Sequence, residues 1–538
     1  MKKRLWLVSL IAIFIFSSVL VGCVEKKSAG NGKNDKTLIY GRGEDAKLLD
    51  PSLVTDGEST KVTDQIFDNL VEYADGSTDV VPGLAESWEA SEDAKVWTFK
   101  LRKDVKFHDG TPFNAEAVVF NFERWADKNH PQHKGGDFPY YAYMFGGYKG
   151  DPGHKIKSVT VVDEFTVKFE LASPQAPFLQ NLAMSAFGIA SPTAVKKDPI
   201  AFTRNPVGSG PFKLKEWKKN DTITLVKNEN FWRKGEPKLD KVIFKVIPDN
   251  SARFTALKSG DVDIIDGLNP TDVAPAEKDS KLQVFKQVGM NVGYLAFNTE
   301  KKPFDNPKVR QAFNHAVNKE ALIKNFYSGL AKPAINPMPE FMLGYNKNVK
   351  DYEFNLDKAK QLLAEAGYAD GLEVEFFAMT APRPYMPDGK KIAEYIQADL
   401  AKIGVKAKIV THDWQIYLDK TGKGEHQMAL FGWNGDNGDP DNFLYVLLDK
   451  DNTRMPDAAN IALYKNDELH DLLIRAQELS DEKQRAELYM KAQEIIKRDA
   501  PWVPIAHATV PYAAKKEVIG FKTHPTTELF LEKVDFAQ

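Results

Sequence analysis

Two residues of opposite charge, far apart in the chain, have the surroundings of ligand anchors. Residues 431–443 read Phe-Gly-Trp-Asn-Gly-Asp-Asn-Gly-Asp-Pro-Asp-Asn-Phe. The unbroken apolar run Met428-Ala429-Leu430-Phe431 before them predicts a strand buried on both faces. Gly432, Gly435, Gly438 and Pro440 then predict an irregular loop that carries Asp436, Asp439 and Asp441 beside Trp433. Upstream, a strand over 372–378 is expected to end shortly before Arg383, whose backbone is stiffened by Pro382 and Pro384. Ligands of open α/β sheets sit outside the carboxyl ends of strands. Arg383 and Asp436 are therefore placed to share one site. A guanidinium holds a carboxylate and a carboxylate holds an ammonium, a combination that fits a small zwitterion such as a free peptide. The competing explanation is a structural salt bridge between Arg383 and Asp436 themselves. Asp439 and Asp441 fit turn residues that cap their own backbone.

Other chemistries find little support. The sequence contains no Gly-x-Ser-x-Gly elbow, no His-Glu-x-x-His and no Rossmann or Walker glycine pattern in a strand–helix setting. His130 and His133 lie in a Gly/Pro-rich stretch without a third ligand nearby, so no metal site is expected there. A calcium loop counted from Asp436 places Leu447 where a bidentate Glu is needed. The run 205–212 has a superficial likeness to a phosphate loop, but Pro211 removes a donor and no Lys-Ser/Thr follows. It reads as a turn. Met379, Met386 and His426 lie near the anchor loops in sequence without a recognisable ligand spacing.

The elements that must position these residues belong to a chain of 538 residues, too long for one core. Hydrophobics at 43% and charges at 27% are ordinary for a globular protein. A net charge of −3 gives no support to a nucleic-acid surface. Residues 1–22 have the form of a signal peptide: Lys2, Lys3 and Arg4, an apolar run, then Leu20-Val21-Gly22 before Cys23. Cys23 is the only cysteine, so no internal disulfide and no thiolate metal cluster can form. Cleavage before Cys23 takes the net charge to −6. Residues 23–36 read as a flexible tether.

Along the rest of the chain, helices are expected over 66–71, 114–127, 250–259, 306–317, 319–327, 356–366, 467–479 and 482–498. A β-rich stretch follows residue 84, with a hairpin over 156–171 and a long loop over 129–153. The sharpest unit is strand 372–378, helix 388–403 and strand 405–410, which predicts a right-handed parallel crossover. A final strand is expected over 503–510.

Several motifs resemble the extracytoplasmic solute-binding proteins of ABC importers, in the peptide and nickel family, and within it the dipeptide branch. They include Pro82-Gly83-Leu84-Ala85-Glu86-Ser87-Trp88, residues 101–110, 206–212, 291–295 and 308–312. Arg383-Pro384-Tyr385, residues 394–410 with Trp414, and residues 432–443 carry the likeness to the dipeptide branch. The resemblance implies an α/β, bilobal, type II periplasmic-binding fold with an extra domain inserted in the first lobe. Its expected boundaries are lobe I at 37–68, 200–286 and 510–538, the inserted β-rich domain at 69–199, and lobe II at 287–509. It also implies a ligand site of Asp436 for the α-amino group and Arg383 for the carboxylate, with Trp414, Trp433, Gly432, Thr55 and Tyr140. Cys23 matches a lipobox, implying a lipid anchor on the outer face of the cell membrane. The expected role is capture of dipeptides or short oligopeptides for an ABC permease, by a monomer without cofactor or metal. A nickel-chelate or haem receptor on the same scaffold is the alternative. A secreted hydrolase and a peptide-pheromone sensor are further readings.

Overall fold

A computed structural model describes residues 36–537. The expected signal peptide, the lipidation site Cys23 and the tether up to residue 35 lie outside the described residues.

Among the described residues, twelve strands join in one hydrogen-bonded sheet. Strand β1 (Thr37–Arg42) runs parallel to Lys241–Val246 on one side and to Ile264–Ile265 on the other. Helix Asn250–Ser259 crosses between those two partners and stops at Gly260, whose φ of 89° only glycine adopts freely. Helix α1 (Gly57–Thr63) starts at Asp56, whose Oδ1 accepts from Ser59 N at 3.0 Å. The helix expected over 66–71 is not formed. Helix α1 takes the residues before it instead, and the apolar residues that follow are buried in a turn leading to strand Val71–Tyr73.

A separate antiparallel sheet orders Ala85–Ala90, Val96–Leu101, Thr166–Leu171 and Ile156–Asp163, with helix Ala115–Ala126 beside it. The long loop expected over 129–153 contains helix α2 (Pro139–Phe145). Pro139 presets its first turn, and Tyr140, Tyr141, Met144 and Phe145 form its buried stripe.

Strands β2 (Leu282–Val288) and β3 (Asn291–Phe297) follow each other with a two-residue break. The crossover is as expected: β4 (Leu372–Met379), α3 (Gly389–Ala401) and β5 (Val405–His412), with β4 and β5 adjacent and parallel. Strand β6 (Met428–Asn434) lies parallel to β4 on its other side and antiparallel to β3. It runs past Phe431, so Gly432 and Trp433 belong to the strand and not to the loop. Helix α4 (Asp441–Leu448) closes that loop.

The final strand is longer than expected. β7 (Trp502–Lys515) pairs with β3 through Ala506 and with β2 from Thr509 onward. The β2–β3 passage and β7 thus cross side by side from one half of the sheet to the other. At the crossing, the buried Asn291 side chain donates to Ala508 O and accepts from Ala508 N, both at 2.8 Å. A Cβ on Gly289 would meet Asn291 Nδ2 at 1.9 Å, so this lock needs glycine there. Asn291→Ala strips two buried backbone groups of their partners, and each such loss costs about 1–3 kcal/mol. Urea denaturation is expected to show the variant destabilised by about 2–4 kcal/mol.

Candidate functional site

A cavity of about 1340 Å³ opens at the carboxyl ends of β4 and β6. Its wall includes all seven residues expected at the ligand site: Thr55, Tyr140, Arg383, Trp414, Gly432, Trp433 and Asp436. They come from α1's approach, from α2, and from the loops and strand ends of β4, β5 and β6, so chain segments distant in sequence converge on one space.

Asp436 is held by neutral donors. Tyr140 Oη donates to Oδ1 at 2.9 Å, and Asn442 Nδ2 donates to Oδ2 at 3.3 Å. Asn442 also uses its Oδ1 to accept from Asp436 N and from Trp433 Nε1, each at 2.9 Å. Tyr73 Oη donates to the Asp436 carbonyl at 3.0 Å. The turn is tight because Gly435 sits where a Cβ would meet the Phe443 ring at 2.6 Å. Burial pushes the Asp436 carboxyl up to about 7, against the opposing pull of the Tyr140 and Asn442 hydrogen bonds.

The other two acids of the loop are structural, and more than turn residues. Asp439 Oδ1 does accept from Asp441 N at 3.0 Å, but the same carboxylate takes Arg485 Nη2 at 2.7 Å and Tyr489 Oη at 3.2 Å. Asp441 accepts from Gln477 Nε2 at 2.9 Å in the interior.

Arg383 sits in a turn closed by reciprocal backbone hydrogen bonds with Met386, of 3.1 and 2.9 Å. Its guanidinium lies 4.3 Å from the Trp414 ring centroid, a cation–π stack. The ring in turn stacks on Tyr417 and Phe431. Trp414 Nε1 is buried without a hydrogen-bond partner among the described residues. The salt bridge weighed from sequence does not form. Among the described residues, Arg383 has its ion pair at 3.9 Å with Glu44, on the segment after β1. Gly432 lines the cavity and also admits Tyr385, whose ring a Cβ would meet at 2.1 Å.

Residues 79–454 match the profile of the bacterial extracellular solute-binding proteins, family 5 Middle. The chain belongs to this family. Heme-binding protein A of Haemophilus influenzae is 40% identical over 529 residues, covering 94% of this chain and 95% of the relative. The dipeptide-binding protein of Escherichia coli is 40% identical over 513 residues, covering 93% and 94%. Among solved structures, a periplasmic binding protein associated with an ABC transporter of Helicobacter pylori, in complex with the peptide STSA, superposes with a TM-score of 0.87. It is 40% identical and the match covers 93% of this chain and 98% of that one. The fold is accordingly the bilobal type II binding-protein fold.

For this family 5 chain, three wall residues escaped sequence reasoning. Glu44 follows β1 with no motif around it. Glu528 lies in the C-terminal tail, accepting from Ser185 Oγ at 2.9 Å and from Ser185 N at 3.2 Å. Its neighbour Thr527 has a φ of 66°, a strained value for a β-branched residue. Met379, Met386 and His426 are fully buried and stand outside the cavity wall. His133 Nδ1 lies 2.8 Å from the Arg124 carbonyl, an ordinary structural contact. Away from the cavity, Asp449, Asp451 and His470 come together, and an Asp449–His470 pair at 3.0 Å accounts for the grouping.

The raised Asp436 value has two consequences. The folded empty protein keeps a proton that the unfolded chain releases near pH 4, so this group destabilises the fold as pH rises from about 4 to 7. Tyr140→Phe removes a donor to the charged form, so the Asp436 pKa should climb further. Carboxyl-carbon NMR titration of both proteins is expected to show a midpoint near 7 that moves upward in the variant.

Proposed function

We propose that this protein captures dipeptides or short oligopeptides outside the cell membrane and hands them to the permease of an ABC importer. The observation that carries the reading is Asp436, a desolvated carboxylate facing the ligand cavity with no cation within ion-pair distance among the described residues. An ammonium group supplies what that environment lacks. The peptide carboxylate takes the stacked guanidinium of Arg383, replacing Glu44 there. Trp414 offers its free Nε1 to a peptide carbonyl, and Trp433, Tyr140, Gly432 and Thr55 complete the wall. Closure of lobe II (287–509) on lobe I, with its inserted domain at 69–199, would bury the ligand. The dipeptide-binding relative and the peptide-bound neighbour support this choice of ligand. We further propose cleavage before Cys23, acylation of that residue, and residence of a monomer on the outer membrane face, held by the 23–36 tether. The role is binding, without cofactor.

A haem receptor is the second reading, favoured by the haem-binding relative. Met379, Met386 and His426 offer it no axial ligand, because none reaches the cavity.

Removing one partner of a buried charge interaction costs about 3–5 kcal/mol. Asp436→Asn and Arg383→Ala are each expected to weaken dipeptide binding by roughly a hundredfold or more in calorimetry. Near-native affinity in both variants would reject these anchors. A thermal-shift series of alanine peptides, run beside haemin, separates the two readings: a peptide at about 100 times its dissociation constant adds roughly 2.7 kcal/mol of stability. Stabilisation by haemin alone would favour the second.

A further inference from the structure

The charges in the cavity wall do not balance. Three of the four wall cations are already committed. Lys61 is held by Glu58 and Asp266. Arg253 donates to the carbonyls of Ile247 and Asp266 and to the Asn250 side chain. Arg383 faces Glu44, and the fourth, the exposed Lys47, acts on Asp457 from beyond ion-pair distance. The wall acids Asp436, Glu528 and Asp457, by contrast, have no cation within 4.0 Å among the described residues. Glu58 adds an independent sign. It is 8% exposed in the same wall, and its Oε2 has no hydrogen-bond partner among the described residues.

A simple zwitterion does not correct this. Its ammonium satisfies Asp436, but its carboxylate competes with Glu44 for Arg383, the one cation that Glu44 faces among the described residues. Glu528 has no cation to pair with either, and burial together with the neighbouring Asp64 pushes its carboxyl well above the usual range, so it ionises only when a ligand cation reaches it. A walled cavity with an excess of one sign concentrates and holds ligands of the other. The cost of leaving acids unpaired falls only if the ligand brings a second cation.

We infer that this cavity selects peptides of net positive charge, carrying a Lys or Arg side chain, over neutral and acidic ones, with Glu44 and Glu528 as the determinants. The selection presupposes that peptides are the ligand. Like charge set against an uncompensated acid discriminates against acidic side chains, while a lysine or arginine gains a partner.

The test is calorimetry of the intact protein with Ala-Ala, Ala-Lys, Lys-Ala and Ala-Glu at low salt. The better of the two lysine peptides is expected to bind at least about tenfold more tightly than Ala-Glu, with Ala-Ala between them. The ratio should shrink as salt rises, to the extent that bulk ions reach the cavity. In Glu44→Gln and Glu528→Gln the same ratio should narrow, and because it compares two ligands on one protein, a general loss of affinity does not affect it. Equal affinities for Ala-Lys and Ala-Glu in the wild type, with Ala-Ala bound, would overturn the charge selection and leave the peptide reading standing. An unchanged ratio in both variants would overturn the two determinants. Failure of every peptide to bind would overturn the peptide reading itself.

Discussion

A carboxylate enclosed with only neutral donors around it costs free energy, and much of the site's architecture follows from keeping Asp436 in that condition. Tyr140 and Asn442 supply enough hydrogen bonding for the charged form to be accessible, while burial outweighs them and lifts its pKa to about 7. A nearby arginine would have relaxed the group and removed its appetite for a ligand cation. The arginine that does reach this loop, Arg485 from the helix Glu482–Asp499, is instead committed to Asp439. One acid of the loop builds the turn, and the other is left unsatisfied.

Holding such a group in place demands rigidity on several sides at once. β6 sets the depth of the loop, Gly435 lets it turn against Phe443, and α2 brings Tyr140 from the far side of the cavity. Arg383 is fixed differently, by a proline-flanked turn and by stacking on Trp414. Each anchor is thus oriented before a ligand arrives, which lowers the ordering cost of binding. The two halves of the large sheet are joined where the β2–β3 connection and β7 run side by side, clasped by Asn291 and Ala508. Glu44, reaching Arg383 across the cavity, stands where a ligand carboxylate would otherwise make the connection.

Much of this was legible in the sequence, for local reasons. The β4–α3–β5 crossover announced itself by periodicity, and Arg383 and Asp436 by their places just past strand ends. Helix α2 was hidden in an aromatic- and glycine-rich stretch whose stripe makes sense only against the core it covers. Glu44 and Glu528 carried no signal. Glu44 sits beside Asp45 and Glu528 before Leu529-Phe530-Leu531, and tertiary structure alone makes either of them part of the site. Asp439 was half read: its turn is local, but Arg485 comes from a helix 46 positions away.

The central claim is that Asp436 sits protonated in the empty protein below neutrality and becomes charged when it meets a ligand ammonium. Calorimetry of dipeptide binding in buffers of different ionisation enthalpy at about pH 6 measures the protons exchanged. The ligand amine is already protonated there, so the account predicts release of nearly one proton per dipeptide bound, fading above pH 8 and absent in Asp436→Asn. Binding at pH 6 with no proton release would contradict it.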